Sequence, residues 1–233
     1  MNKDKLIKLF DTYGIAYDDE RIGLLLSYMH YTLEENKKYN LTAITDESEF
    51  LEKMIFDSAI ILSKNDLSGK KIIDVGTGAG YPGMVLKILN PDTDLFLLDS
   101  TNKKIEFIKR FALANNICVS AVCDRAELYA RNHVEQFDVV VARAVASLPI
   151  LLEIVAPLLK VGGEFLALKS RGYKEELDLS EKALSKLFLD VTDIEEYDLP
   201  ESMEKRVIIH IKKLKPTPKK YPREYNQIKK QPL

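Results

Sequence analysis

Asp74 is followed by three glycines at every second position, Gly76, Gly78 and Gly80, directly after the apolar β-branched run Ile72-Ile73. Glycine lacks a Cβ, so it admits positive φ and lets a ligand lie against the backbone. Backbone N–H groups at a turn that opens into a helix can face a polar ligand. A second acid, Asp99, closes the apolar run that precedes it. A carboxylate at the carboxyl end of a neighbouring strand can accept both hydroxyls of a ribose. Asp124 to Glu127 follow a third run, and Arg143 follows Val139-Val140-Val141-Ala142. A guanidinium leaving a core strand needs a partner or a ligand. These residues describe a crevice for a nucleoside. Plainer readings stand beside them: a structural glycine turn, an N-cap at Asp99, and caps or surface charges at Asp124 and Glu127.

The spacing narrows the ligand. A nicotinamide or flavin fingerprint, G-x-G-x-x-G, needs glycine at position 81, where the chain has Tyr81. A P-loop would end in Gly-Lys-Ser/Thr, and none does. The pattern D-x-G-x-G-x-G is the one seen in S-adenosylmethionine (AdoMet) methyltransferases, whose ligand has no phosphates to cradle.

The elements that must carry these residues alternate. The pattern predicts strands at 71–75, 94–98, 118–123, 137–142, 164–169, 191–197 and 206–212. Helices are expected to follow the first five, to Leu89 and over 102–115, 126–133, 148–159 and 174–186. Gly162-Gly163 is expected to end the fourth of these helices. Repeated β-α units imply an α/β fold, a doubly wound, mostly parallel seven-stranded sheet, with an antiparallel hairpin at its end. In such a sheet ligands bind beyond the carboxyl ends of the strands. Before it, residues 1–63 read as a helical cap. Its second helix carries Ile22, Leu25, Leu26, Met29 and Leu33 on one face. The organisation is then cap (1–63), ligand-binding domain (64–214) and tail (215–233).

The chain is 46% hydrophobic, which is ample for a core. No apolar run approaches the ~18 residues of a membrane span, and the N-terminus lacks a signal-peptide pattern. Cys118 and Cys123 fall in one expected strand, on opposite faces, and read as reduced core thiols of a cytosolic protein. Three histidines lie far apart, with no metal-ligand spacing. No coiled-coil pattern is visible, and a monomer is expected. The net charge is −2, yet residues 212–233 hold eight lysines and arginines against one glutamate. Such a basic end is an electrostatic footprint for a polyanion. The tail, rich in proline and poor in apolar residues, is expected to be extended and to order on a partner.

These residues carry a resemblance that spans nearly the whole chain. Tyr39-Asn40-Leu41-Thr42-Ala43-Ile44, Phe56-Asp57-Ser58, DVGTGAGYPG (74–83), Leu98-Asp99-Ser100, Asp124-Arg125-Ala126-Glu127, Ala142-Arg143-Ala144-Val145-Ala146, Ala167-Leu168-Lys169 and the Tyr221-Pro222-Arg223 tail occur in family order. The chain resembles the bacterial small-subunit ribosomal RNA guanine-N7 methyltransferases, the RsmG/GidB family. The resemblance implies a class I, Rossmann-like AdoMet methyltransferase acting on 16S rRNA or the small subunit. It implies AdoMet contacts at Gly76, Tyr81, Ala126, Glu127 and Arg143, with Gly78 and Gly80 in the same turn and Asp99 on the ribose. Many relatives carry a histidine where this chain has Met54. For RNA, the candidates are Arg125, Arg143, Lys169, Arg206, Lys219, Lys220 and Arg223, with Tyr221 as a stacking ring. No catalytic side chain is expected. Guanine N7 has a free lone pair and no proton to remove. The chain accordingly lacks a Cys-His, Ser-His or paired-carboxylate signature. A small-molecule or protein methyltransferase, or a nucleoside-sensing regulator without turnover, is the competing expectation.

Overall fold

The structure is a computed structural model and describes residues 2–233. Seven strands form one sheet: β1 Lys71–Val75, β2 Asp94–Asp99, β3 Ser120–Cys123, β4 Phe137–Arg143, β5 Leu159–Lys169, β6 Leu189–Asp198 and β7 Lys205–Lys213. Their order is β3-β2-β1-β4-β5-β7-β6. The first five strands run parallel, while β7 is antiparallel to both β5 and β6. The order reverses between β1 and β4, so the crevice of such a sheet opens there.

The helices are α1 Asn2–Tyr13, α2 Asp19–Tyr39, α3 Glu47–Phe50, α4 Asp57–Ala59, α5 Gly83–Leu89, α6 Asn102–Ala114, α7 Ala126–Asn132, α8 Leu148–Val155, α9 Tyr173–Asp178, α10 Glu181–Leu187 and α11 Tyr225–Lys230. Alternate residues of the strands enter opposite faces. Ile72, Leu95, Leu97, Val139 and Val141 pack with α1, α2, α5 and α6, whereas Ile73, Val75, Val140 and Phe165 pack with α7, α8 and α10. Covering on both faces is why the parallel strands read as continuous apolar runs. Residues 2–63 share the former cluster through Leu6, Phe10, Leu25, Phe50 and Phe56. No described helix is long and apolar enough to cross a membrane.

The third helix of the cap is not uniform. Asp46 caps α3 by accepting from Glu49 N at 2.9 Å. A π-helical segment, Leu51–Phe56, then leads into α4, and a 3₁₀ turn, Ile60–Ser63, follows. π-Helical turns are frequent at functional sites because they re-aim side chains. Here the segment and α4 turn Lys53, Met54 and Asp57 toward one cavity.

Several local expectations give way to tertiary context. α8 stops at Val155, and Gly162-Gly163 lie inside β5 instead of ending a helix. A Cβ at Gly163 would meet the carbonyl oxygens of Phe137 and Asp138, so close strand approach requires glycine there. The 174–186 helix is broken into α9 and α10 around Ser180, whose hydroxyl turns back to Glu176 O. β3 starts at Ser120, leaving Cys118 outside it. Both cysteines are exposed rather than core thiols. The tail is not extended. It folds back and ends in α11, with Tyr221, Ile228 and Leu233 buried.

Candidate functional site

β1 runs into a turn whose glycines Gly76, Gly78 and Gly80 all have positive φ. A Cβ at Gly76 would press on Val145, and one at Gly80 would run into the Tyr28 hydroxyl. Gly78 alone faces open space. Asp99, at the end of β2, leans over the turn. Its Oδ2 accepts from Gly78 N at 3.0 Å and its Oδ1 from Thr101 N at 2.8 Å. Those two donors fix the carboxylate while the group still lines a cavity of about 440 Å³. That size suits a small ligand.

The cavity runs from Gly76 past Asp99, Ser100 and Lys104 to Asp124, Arg125, Ala126 and Glu127, with Ala144–Ala146 on the far side. Glu127 is buried and accepts from Arg125 Nε. One wall comes from the tail: the Tyr225 ring lines the cavity, and the Arg125 guanidinium lies 4.7 Å from its centroid. No local sequence pattern singles out Tyr225.

Asp74 lies beneath the turn, fully buried. Its Oδ2 accepts from Thr77 Oγ1 at 2.6 Å and from Gly83 N at 2.8 Å, whereas Oδ1 has no partner. Burial pushes its carboxyl up to about 6, against the opposing pull of the Thr77 and Gly83 hydrogen bonds. An anchored carboxylate at the second strand and an open cradle at Gly78 fit a nucleoside.

A second cavity of about 600 Å³ adjoins the first and shares Ala144, Val145 and Ala146 with it. It is lined by Lys53, Met54 and Asp57 from the cap, by Arg143, Lys169 and Arg206 from the sheet, and by Glu176 and Glu204. Arg143 Nη1 donates to Asp57 Oδ2 and to Lys53 O, both at 3.1 Å, and Nη2 lies 3.6 Å from Met54 Sδ. Tyr197 Oη donates to Asp57 Oδ1 at 2.8 Å, and Arg206 Nε is 3.5 Å from the same oxygen. Burial, and then the Asp57 carboxylate, push the Tyr197 hydroxyl far above its ordinary value, so it stays a donor. Lys169 Nζ donates to Ala146 O and to Glu176. Lys53 bridges Glu49 and Glu204.

The fold therefore gathers Gly76, Asp99, Arg125, Ala126 and Glu127 around the first cavity, with Gly78 held against Asp99. It sends Arg143, Lys169 and Arg206 to the second. Gly80 turns toward Tyr28. The Tyr81 ring is buried against Tyr28 and Phe50, its hydroxyl 3.0 Å from Thr32, so only its backbone borders the turn. Lys219 and Lys220 are exposed. Tyr221 is buried and unavailable as a stacking platform, which corrects that expectation. Arg223 is occupied: its Nη2 lies 2.6 Å from Glu153 Oε2, on an acid with no exposure. Lys213 is likewise internal, donating to Ala156 O and Leu159 O. The basic end is thus smaller in free charge than its composition implied. Asp57, Tyr197 and Tyr225 were not singled out from the sequence. Only Asp57 had a signal, as part of a quoted family segment.

A family model described as GidB, rRNA small subunit methyltransferase G, matches residues 21–206. The ribosomal RNA small subunit methyltransferase G of Carboxydothermus hydrogenoformans is 40% identical over 232 residues, covering 98% of this chain and 99% of that protein. The protein of the same name from Caldicellulosiruptor bescii is 45% identical over 217 residues, covering 90% and 91%. Among solved structures, a TehB-like SAM-dependent methyltransferase from Corynebacterium glutamicum superposes with TM-score 0.53 at 18% identity, over 79% of this chain and 98% of that one. M. jannaschii TYW2 in complex with AdoMet gives 0.51 at 13% identity, over 65% and 72%. At such identities the structures carry the fold alone.

Proposed function

This chain belongs to the rRNA small subunit methyltransferase G family, and from that premise we propose that it methylates N7 of a guanine in 16S ribosomal RNA, with AdoMet as donor. The observation that carries this reading is the junction of two cavities along Ala144–Ala146. One has the anchored carboxylate a nucleoside needs. The other is lined by Arg143, Lys169 and Arg206, as a nucleotide of a polyanion needs.

When bound, AdoMet supplies a methyl group on a sulfonium, which guanine N7 takes with its own lone pair while sulfur keeps the electrons of the broken bond. No proton leaves N7, so the chain needs no general base. Its residues act by position. Asp99, pinned by Gly78 and Thr101, would accept the ribose hydroxyls. The Tyr225 ring, at the Arg125 end, would stack on the adenine. Gly76, Ala126, Glu127 and the backbone at Tyr81 complete that wall.

On the RNA side, Asp57 pairs with Arg143 and Arg206 in the cavity wall, Arg206 also reaching Glu204, while Lys169 is pinned by Glu176. Lys219 and Lys220 would grip phosphates outside. Alignment of two bound partners is worth up to about 7–11 kcal/mol. Excluding water between them strengthens every dipole present. A ribosomal RNA substrate supports a cytoplasmic location.

Purified chain given methyl-labelled AdoMet, with naked 16S rRNA or small subunits lacking the modification, is expected to place the label in 7-methylguanosine after nucleoside digestion. Label in another nucleoside would overturn the target atom. AdoMet binding with no label transferred to either RNA would favour the sensor reading.

A further inference from the structure

His210 lies on β7, on the cap-facing side of the sheet and outside both cavities, and it is 6% exposed. Its Nδ1 donates to Glu164 Oε1 on β5 at 2.9 Å, which leaves Nε2 to face the other acids. Nε2 is buried and completes no hydrogen bond, although Glu195 Oε1 on β6 stands 3.0 Å away. Asp193 joins them: ligand atoms of Asp193, Glu195 and His210 all lie within 4.8 Å of one another. The pleat alone would turn Asp193 and Glu195 alike, and an irregularity in register between Val191 and Asp193 sets Asp193 opposite His210. Lys64 pairs with this group: its Nζ is 3.1 Å from Glu195 Oε2, and its side chain is 63% exposed, free to swing away.

A metal-ligating histidine almost always gives its other ring N–H to a carboxylate, which fixes the tautomer and raises the ligand's basicity. Glu164 stands in that relation to His210. One imidazole nitrogen with two carboxylates, on the rim of a sheet and open to water through the exposed Asp193, is a donor set for three protein ligands and a solvent molecule. We propose that Asp193, Glu195 and His210 form a binding site for one divalent first-row cation of the Zn²⁺ class, oriented by Glu164 and guarded by Lys64. The site would clasp β6 to β7 two residues from Tyr197, whose hydroxyl holds Asp57 in the second cavity. It would stiffen the strand that carries this contact without taking part in methyl transfer.

Calorimetric titration of Zn²⁺ into chelator-treated full-length protein tests this. Cys118 and Cys123 are replaced by serine throughout, because exposed thiols also bind the ion. One equivalent is expected to bind, with affinity lost in His210→Gln and Asp193→Asn and weakened about 10–100-fold in Glu164→Ala. Lys64→Gln should tighten binding by removing the competing ammonium. Binding of Co²⁺ should give the visible absorption of a four-coordinate nitrogen–oxygen site. If His210→Gln does not fold, the exposed Asp193→Asn and Lys64→Gln carry the test. No stoichiometric heat, or binding indifferent to Asp193→Asn and Lys64→Gln, would overturn the site and leave a histidine held between two carboxylates as an ion pair only.

Discussion

The two cavities that meet along Ala144–Ala146 are built on opposite terms. The first takes its determinants from strand ends and the turns just after them. Its glycine turn and Asp99 are joined by a single hydrogen bond between backbone and side chain. The second is assembled across the chain: Asp57 from the cap, Arg143 from β4, and Tyr197 and Arg206 from the last two strands. The floor of the first is thus a backbone site set by β1 and β2, with Tyr225 of the tail as one wall. The second is a charge network, in which each member is tolerable in the interior only because the others are present. Removing one member should cost stability in the second cavity and ligand affinity in the first.

Asp57→Ala is expected to have the largest effect. It leaves the part-buried Arg143 without its carboxylate and should lower the unfolding free energy by about 3 kcal/mol. AdoMet affinity, governed by separate residues, should move by no more than about 0.5 kcal/mol. Chemical denaturation and calorimetry on one sample check both. Equal losses in the two would merge the cavities into one unit.

Asp99→Ala should do the reverse. Losing hydrogen bonds to a charged acceptor should weaken AdoMet by about 3 kcal/mol, roughly a hundredfold, while RNA binding in a filter assay holds.

The buried Asp74 adds a pH dependence to the stability of the turn beside the first cavity. Its folded value, about 6, is raised above the ordinary 3.8 by burial. The neutral carboxyl is therefore the form the fold prefers. Its contribution is full below pH 4 and is lost as pH rises through 6, by up to about 3 kcal/mol. Urea unfolding of wild type and Asp74→Asn between pH 4 and 7 should show the difference between them changing in that window, in the direction that favours the variant at the upper end.

Tyr225→Ala should raise the AdoMet Kd by the worth of one base–ring contact, about 1–3 kcal/mol, with Tyr225→Phe unchanged. A loss in neither would return Tyr225 to a surface role beside Arg125. The smallest effect belongs to the exposed tail. Replacing Lys219 and Lys220 with alanine should flatten the salt dependence of RNA affinity by about one unit of log–log slope each. Arg223→Ala, by contrast, should act on stability, because Glu153 would be left buried and unpaired.

The parts legible beforehand share one property, which is locality. An apolar run, a glycine spacing and an acid at a strand end lie within a few residues of each other, and the backbone chemistry that links them is fixed by those residues. The misreadings share the converse. Tyr221 and Arg223 have the composition of an RNA grip, but Glu153, 70 residues away, claims the arginine. Gly162-Gly163 have the composition of a helix stop, but the neighbouring strand needs Gly163 bare, and Gly162 takes a positive φ. Cys118 and Cys123 have the character of core residues, but one lies before and one at the end of β3, the edge strand, where covering is only partial.

The sequence by itself determined the parallel sheet, the turn at Gly76–Gly80 and the carboxylate at Asp99, because period, glycine and acid act through bonds and neighbours. Only the tertiary structure decided that Asp57 would meet Arg143 across 86 residues, and that Glu164, Glu195 and His210 would converge from three strands. Pairings of that kind are set by strand order and by which face each side chain takes, and neither is written in any single stretch of chain.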